Sequence, residues 1–247
     1  MLPYIAISQY GLRLHQMRDA DIEIVREGRN QPFVRKNHFF QEIITPEQHR
    51  SWYDGICKTR DYYLIVCKDD VPLGLISLKN IAPGMHTGQL GIFFWEKQVL
   101  RTRLPLLAII TFIDFFLVTV GIQHMEAIIR STNTAMAHIF EFFGFDLFYD
   151  NAKQILKTSS TRNQYLENHD RLIDFVKRLN KYPASDRQGV LESFIRAQWL
   201  YYKLWSDRQG DWPSSLIQTT LYIQHKAPNF YPKRLSIWVP ENRLRLP

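Results

Sequence analysis

The chain has 247 residues, 45% hydrophobic and 22% charged, with a formal net charge of +7 at pH 7. This is the composition of a folded soluble protein with a substantial core, long enough for one large domain or a medium domain plus a smaller one. Two cysteines, Cys57 and Cys67, exclude a disulfide framework, and the histidines are scattered without ligand spacing, so no metal site and a reduced, cytoplasmic setting are expected. The positive charge supports solubility and weak attraction to polyanions, and names no function by itself.

In chain order, no basic start with a following apolar run is seen, so no signal peptide is expected. Gly11–Leu14 alternates as a short strand, and Asp19–Arg29 reads as an amphipathic helix with Asp19 as cap and Ile22, Val25 and Arg29 on one side. Thr45, Pro46 and Gln48 form a capping box with proline in the first turn, starting a helix that carries His49, Trp52 and Tyr53. Tyr62–Cys67 and Pro72–Leu78 read as a hairpin around Lys68–Asp70.

The organising stretch follows: strand Gln89–Trp95, a polar and basic loop, apolar helix Leu104–Val120 ended by Gly121, strand Met125–Ile129, and helix Asn133–Phe143 ended by Gly144. The Leu104–Val120 run is short for a membrane span and is interrupted by Asp114, so it reads as a helix buried against a sheet. A strand, a crossover helix and a strand make part of the sheet parallel. Asp146–Tyr149 and Gln154–Lys157 are final strand candidates. The expected class is α/β: a mixed, largely antiparallel sheet flanked by helices, in a domain of residues 1–160. Residues 161–247 read as a mostly helical C-terminal extension, with helices at Asn163–Leu179 and Gln188–Trp205, a helix or strand at Ser214–His225 and a last strand at Leu235–Val239. Its Trp and Tyr content suits packing on the first domain or a homodimer interface.

Over roughly residues 11–157 this order resembles the GNAT superfamily of acyl-CoA-dependent N-acyltransferases. The front end is similar to the branch acting on nucleotide-linked amino sugars in pseudaminic acid synthesis, through Leu12-Arg13, Asp19–Asp21, Arg29-Asn30, Val34-Arg35 and Thr45–His49 followed by Trp52. The back end matches at Asn133–Ala135 and Phe143–Phe145. The resemblance implies acetyl-CoA as donor, a small-molecule primary amine as acceptor, and direct attack on the thioester. It places backbone amides of Ile92–Phe94 at the thioester carbonyl, an oxyanion-type role that leaves no mark in residue type. It places Asn133 and Gln98 with the cofactor. It sets the helix bearing His49 and Trp52 over the acceptor, with Trp52 stacking and His49 as base or phosphate contact. Glu96, at the strand end, is the other candidate base. Arg29, Asn30 and Arg35 would hold a nucleotide diphosphate, although Arg29 equally suits a surface residue whose stem covers the core.

Two positions depart from the family pattern. The pyrophosphate loop frame is Gln98-Val-Leu-Arg101-Thr-Arg103, with arginine at both small-residue positions. Arginine obstructs backbone approach to phosphate yet offers five donors to it. The position of the usual acid tyrosine is Phe140, and His138 is the nearest titratable substitute. Alternatives therefore stand beside the transferase: a non-catalytic scaffold that has lost acyl-CoA, a peptide amine acyltransferase, and, from Lys226, Lys233, Arg234 and Trp238 in the tail, a nucleic-acid binder. No membrane partner is expected.

Overall fold

Residues 5–180, apart from Pro83 and Met85, are described in a computed structural model. The β-branched and aromatic runs become eight strands of one sheet: β1 Ala6–Gln9, β2 Leu12–Gln16, β3 Tyr62–Lys68, β4 Val71–Lys79, β5 Thr87–Phe94, β6 His124–Arg130, β7 Asp146–Asp150 and β8 Ile155–Thr161. Their order across the sheet is β1-β2-β3-β4-β5-β6-β8-β7. All neighbours are antiparallel except β5 and β6. The expected class is therefore what is found, with β1 added at one edge.

Local chemistry explains the joints. Asp69 and Asp70 both take left-handed φ, 50° and 61°, which matches a two-residue hairpin turn to the strand twist. Pro72, unable to donate to the ladder, sits where the β3–β4 register shifts between Val66 and Cys67.

Helices cover both faces. On one side lie α1 Ile22–Asn30, α2 Pro32–Arg35 and α3 Pro46–Ile56. Ile22 and Val25 of α1 join Ile65, Cys67, Leu75 and Trp95 of the sheet in a compact cluster. The cap of this first helix differs from expectation. Asp19–Asp21 is a 3-10 turn whose Asp21 carboxylate accepts from Arg18 N at 2.8 Å, while Asp19 reaches across to Arg50 at 2.6 Å. On the other side α4 Leu104–Ile113 runs without a break into a π-helical segment, Asp114–Val120, which Gly121 ends at φ 85°. Leu107 to Ile113 are at most 1% exposed, so the apolar run is spent on the core. Burial of each large side chain there is worth about 1.5–3 kcal/mol. No helix among the described residues is long and apolar enough to cross a membrane.

After β6, α5 Thr134–Phe142 is capped by Asn133, and Gly144 leaves it at φ 79°. Then α6 Arg162–Asn180 lays Tyr165, Leu172 and Val176 into the same core as α4. The wide π turn aims Asp114 at this helix: its carboxylate accepts from Tyr165 Oη at 2.6 Å and meets His169 Nε2 at 3.1 Å. The expected elements Gln188–Trp205, Ser214–His225 and Leu235–Val239, and the basic tail, lie outside the described residues.

One feature of the sheet positions everything that follows. β5 and β6 pair only through Thr87, Gly88 and Gln89. Beyond Gln89, β5 stays with β4 while β6 pairs along its whole length with β8. The two central strands part and leave a gap beside the second half of β5.

Candidate active site

The backbone of β5 faces that gap with a fixed alternation. Trp95 N donates to Leu73 O at 3.1 Å, continuing the β4–β5 register. Counting back in an antiparallel ladder, Phe93 and Gly91 also turn their amides toward β4, and Ile92 and Phe94 turn theirs toward the gap. These are the amides at which the resemblance placed a carbonyl. Strand geometry supplies them as donors whatever the side chain.

On the α1/α3 face of the same strands a cleft of about 430 Å³ opens. Its floor is Leu75, Ser77 and Lys79 of β4 with Gly91, Ile92 and Phe93 of β5. Gly91 keeps this floor open: a Cβ there would lie 2.9 Å from Ser77 Oγ and 3.7 Å from Lys79 Nζ. One wall comes from α3. The Thr45–Gln48 capping box forms as expected, with Thr45 Oγ1 accepting from Gln48 N at 3.3 Å and Gln48 Oε1 accepting from Thr45 N at 2.9 Å. One turn on, His49 stacks on Trp52 with centroids 4.7 Å apart, and Trp52 meets Tyr63 edge-on at 5.2 Å. The opposite wall is Arg29, His38, Phe40 and Ile44.

That wall is a loop, residues 36–44, tied down by side chains of α1 and α2. Arg29 Nη2 donates to Phe40 O at 2.7 Å, and Arg35 Nη1 to Gln41 O at 3.0 Å. Asn30 spends both ends of its amide on Ile44, Nδ2 to the carbonyl and Oδ1 from the N–H, each at 2.9 Å. Of the three residues assigned by resemblance to a diphosphate, Arg29 alone lines the cleft, while Asn30 and Arg35 hold its wall.

Burial sets the protonation states. His38 is pushed down to about 3, by desolvation first and by Arg29 and Lys79 next. His49 is also lowered, again chiefly by burial. Both imidazoles are neutral at pH 7, and burial makes each a weaker proton acceptor than a free imidazole, His38 far more so than His49. Arg29 is lowered to about 10 by burial with Arg35 nearby, and Lys79 is lowered by burial. Tyr63 is raised to about 12 for the same reason.

The remaining expected site residues lie elsewhere. Glu96 is exposed past the end of β5 and does not line the cleft. His138 has a side chain 79% exposed, 3.7 Å from Glu141. Phe140 is 1% exposed and packs on Phe145 at 5.2 Å, so no acid stands at that position. Asn133 Oδ1 accepts from Met136 N as the α5 cap. At the N-terminus of α4, Thr102 Oγ1 takes the Leu104 N–H at 3.2 Å, Pro105 has none, and Leu107 N bonds Arg103 O at 3.0 Å. The Leu106 amide of this first turn is flanked by the exposed Arg101 and Arg103, at the end of the helix where a phosphate would sit. Among the described residues no group of histidine, cysteine and carboxylate side chains could hold a metal ion.

His38, Lys79, Ser77 and Tyr63 were not anticipated as site residues. The available signal was strand alternation, since Leu75, Ser77 and Lys79 share one face of β4.

Comparison with known proteins gives a family model, described as an acetyltransferase (GNAT) domain, that matches residues 11–146. No curated protein matches the chain. Among solved structures, spermidine N-acetyltransferase from Vibrio cholerae, in complex with CoA and spermine, is similar at TM-score 0.57 and 14% identity, over 63% of this chain and 98% of that one. A domain from Methanocaldococcus jannaschii is similar at TM-score 0.54 and 17% identity, over 61% and 97%. An acetyltransferase of the GNAT family from Bacillus anthracis gives 0.54 and 15%, over 64% and 99%. At these identities the likeness is one of fold.

Proposed function

The chain belongs to the acetyltransferase (GNAT) family, and from that premise we propose that it transfers an acetyl group from acetyl-CoA to a primary amine, with an amino sugar on a nucleotide carrier as acceptor. The observation that carries this reading is the parting of β5 from β6 beside the aromatic cleft. It leaves the Ile92 and Phe94 amides aimed at a gap that opens next to an aromatic surface on which an acceptor ring can stack.

When bound, acetyl-CoA supplies the activated acetyl thioester. The chain's own groups do the rest. Ile92 and Phe94 amides donate to the thioester oxygen as negative charge develops there, which is worth most where the donors are already oriented. Trp52, braced by Tyr63 and His49, orients the acceptor ring. Neutral His49 takes the proton that the amine gives up as the new C–N bond forms and the C–S bond breaks. Glu96 lies outside the cleft and would act only through water. Arg101 and Arg103, with the Leu106 amide, hold the phosphates at the start of α4. Phe140 supplies no acid at the acid position, so the proton for the leaving thiolate would come from solvent.

A second reading is favoured by one observation: in the first turn of α4 the Leu104 amide is taken by Thr102 Oγ1 and Pro105 has none, where the family pattern asks for several open amides. On that reading the chain is a scaffold without acyl-CoA. Raising of the melting temperature by acetyl-CoA separates the two, because binding to the native state must stabilise it. The proposed activity is then tested by thiol release from acetyl-CoA with UDP-glucosamine as acceptor. A flat melting temperature together with no thiol release would leave the scaffold reading standing.

A further inference from the structure

The charges lining the cleft are of one sign. Arg29 and Lys79 are its cations, His38 and His49 its imidazoles, and among the described residues no carboxylate lines it. Asp61 acts on Lys79 and Glu23 on His49, but neither lines the cleft. Nη2 of Arg29 donates to Phe40 O, a neutral acceptor, and the buried Nη1 has no partner among the described residues. Lys79 Nζ lies over the glycine floor, 3.7 Å from where a Cβ of Gly91 would be. Two cations lining a partly dry, aromatic-walled space that no carboxylate of the described residues lines are costly, and an anion would offset that cost through charge-assisted hydrogen bonds. A polyamine would add like charge to the same space.

We propose that Arg29 and Lys79 form an anion subsite in this cleft, so that the acceptor carries a phosphate or carboxylate beside its amine. The proposal deepens the acetyl-transfer reading and rests on it only for the word acceptor; the subsite itself rests on the cleft. The arrangement also serves the chemistry. The neutral imidazole of His49 stands in the same cleft to take the proton of the bound amine.

The test is calorimetric titration of the full chain with four probes: glucosamine, glucosamine 6-phosphate, muramic acid and spermidine. At least one of the two anionic sugars should bind ~10-fold or more tighter than glucosamine, and spermidine weakest. Preference for glucosamine 6-phosphate identifies a phosphate, and preference for muramic acid a carboxylate. In Arg29→Met and in Lys79→Met the ratio of anionic to neutral sugar should fall to within ~3-fold, with Arg29→Lys keeping part of it. Lys79→Met decides the matter if loss of the Arg29–Phe40 bond unfolds the first variant. Equal binding of the three sugars, tightest binding of spermidine, or a ratio surviving in a folded Lys79→Met would overturn the subsite. Thiol release from acetyl-CoA is read separately. Charge-selective binding without thiol release upholds the subsite and removes the transferase; thiol release at one rate for all three sugars does the reverse.

Discussion

Replacing Arg101 with alanine tests how this chain could grip a phosphate. In the family pattern backbone amides do that work, but here Leu104 N–H is occupied by Thr102 Oγ1 at 3.2 Å, Pro105 has no N–H, and Leu107 N–H bonds Arg103 O. The helix dipole adds only about 0.3–1 kcal/mol at an exposed terminus. A guanidinium contact to a charged oxygen is worth about 1.5–3 kcal/mol, so the side chain outweighs the terminus. Arg101→Ala should therefore weaken acetyl-CoA binding by about 2 kcal/mol, or about 30-fold in Kd. The measurement is titration calorimetry at low and high salt, and the loss should shrink at high salt, where exposed charges are screened. The opposite sign would refute the reasoning. If Arg101→Gly with Arg103→Gly binds acetyl-CoA more tightly than the natural chain, the arginines obstruct the loop and do not serve it.

Three further outcomes are expected. Asn30→Ala removes two part-buried hydrogen bonds to Ile44 and should lower unfolding free energy by about 2 kcal/mol in urea denaturation, a loss that a ligand-contacting Asn30 would not produce. Gly28→Ala would place a Cβ 2.7 Å from Trp95 Cβ, so α1 must lift from the sheet; overpacking of about 1–3 kcal/mol should appear as a lower melting temperature together with weakened acceptor binding through Arg29. Burial alone would lower the pKa of His169, but its hydrogen bond and charge interaction with Asp114 leave it raised above 6.5. A raised folded pKa gives stability fully present below 6.5 and lost as pH climbs through the folded value, so stability should decline with pH above that point and Asp114→Asn should flatten the decline. An unchanged slope in Asp114→Asn would exclude this pair as the source.

The framework was legible where local chemistry decides. Apolar, β-branched and aromatic runs marked the strands from β2 to β8, Thr45 and Gln48 gave the α3 cap, and Gly121 and Gly144 marked real helix exits. The π turn was not legible, because its apolar sequence suits an ordinary helix; the widening shows only where Asp114 meets Tyr165 and His169, some fifty residues away. The cleft was half legible. His49 and Trp52 share a helix face and could be paired by spacing. Lys79 and His38 reach the cleft from separate segments. Asn30 and Arg35 read as ligand donors because a sequence displays donors, whereas the backbone carbonyls of residues 41–44 that claim them have no signature.

The short seam between β5 and β6 has a consequence for the chain's motions as well as its chemistry. Three residues on each side, 87–89 against 124–126, join two otherwise separately zipped plates. Gly91 and Phe93, hydrogen-bonded to β4, should exchange their amide protons slowly; Ile92 and Phe94, one residue away on the same rigid strand, should exchange quickly. A strand that alternates between protected and open amides at single-residue spacing works as a comb, and a bound carbonyl would silence only the open teeth.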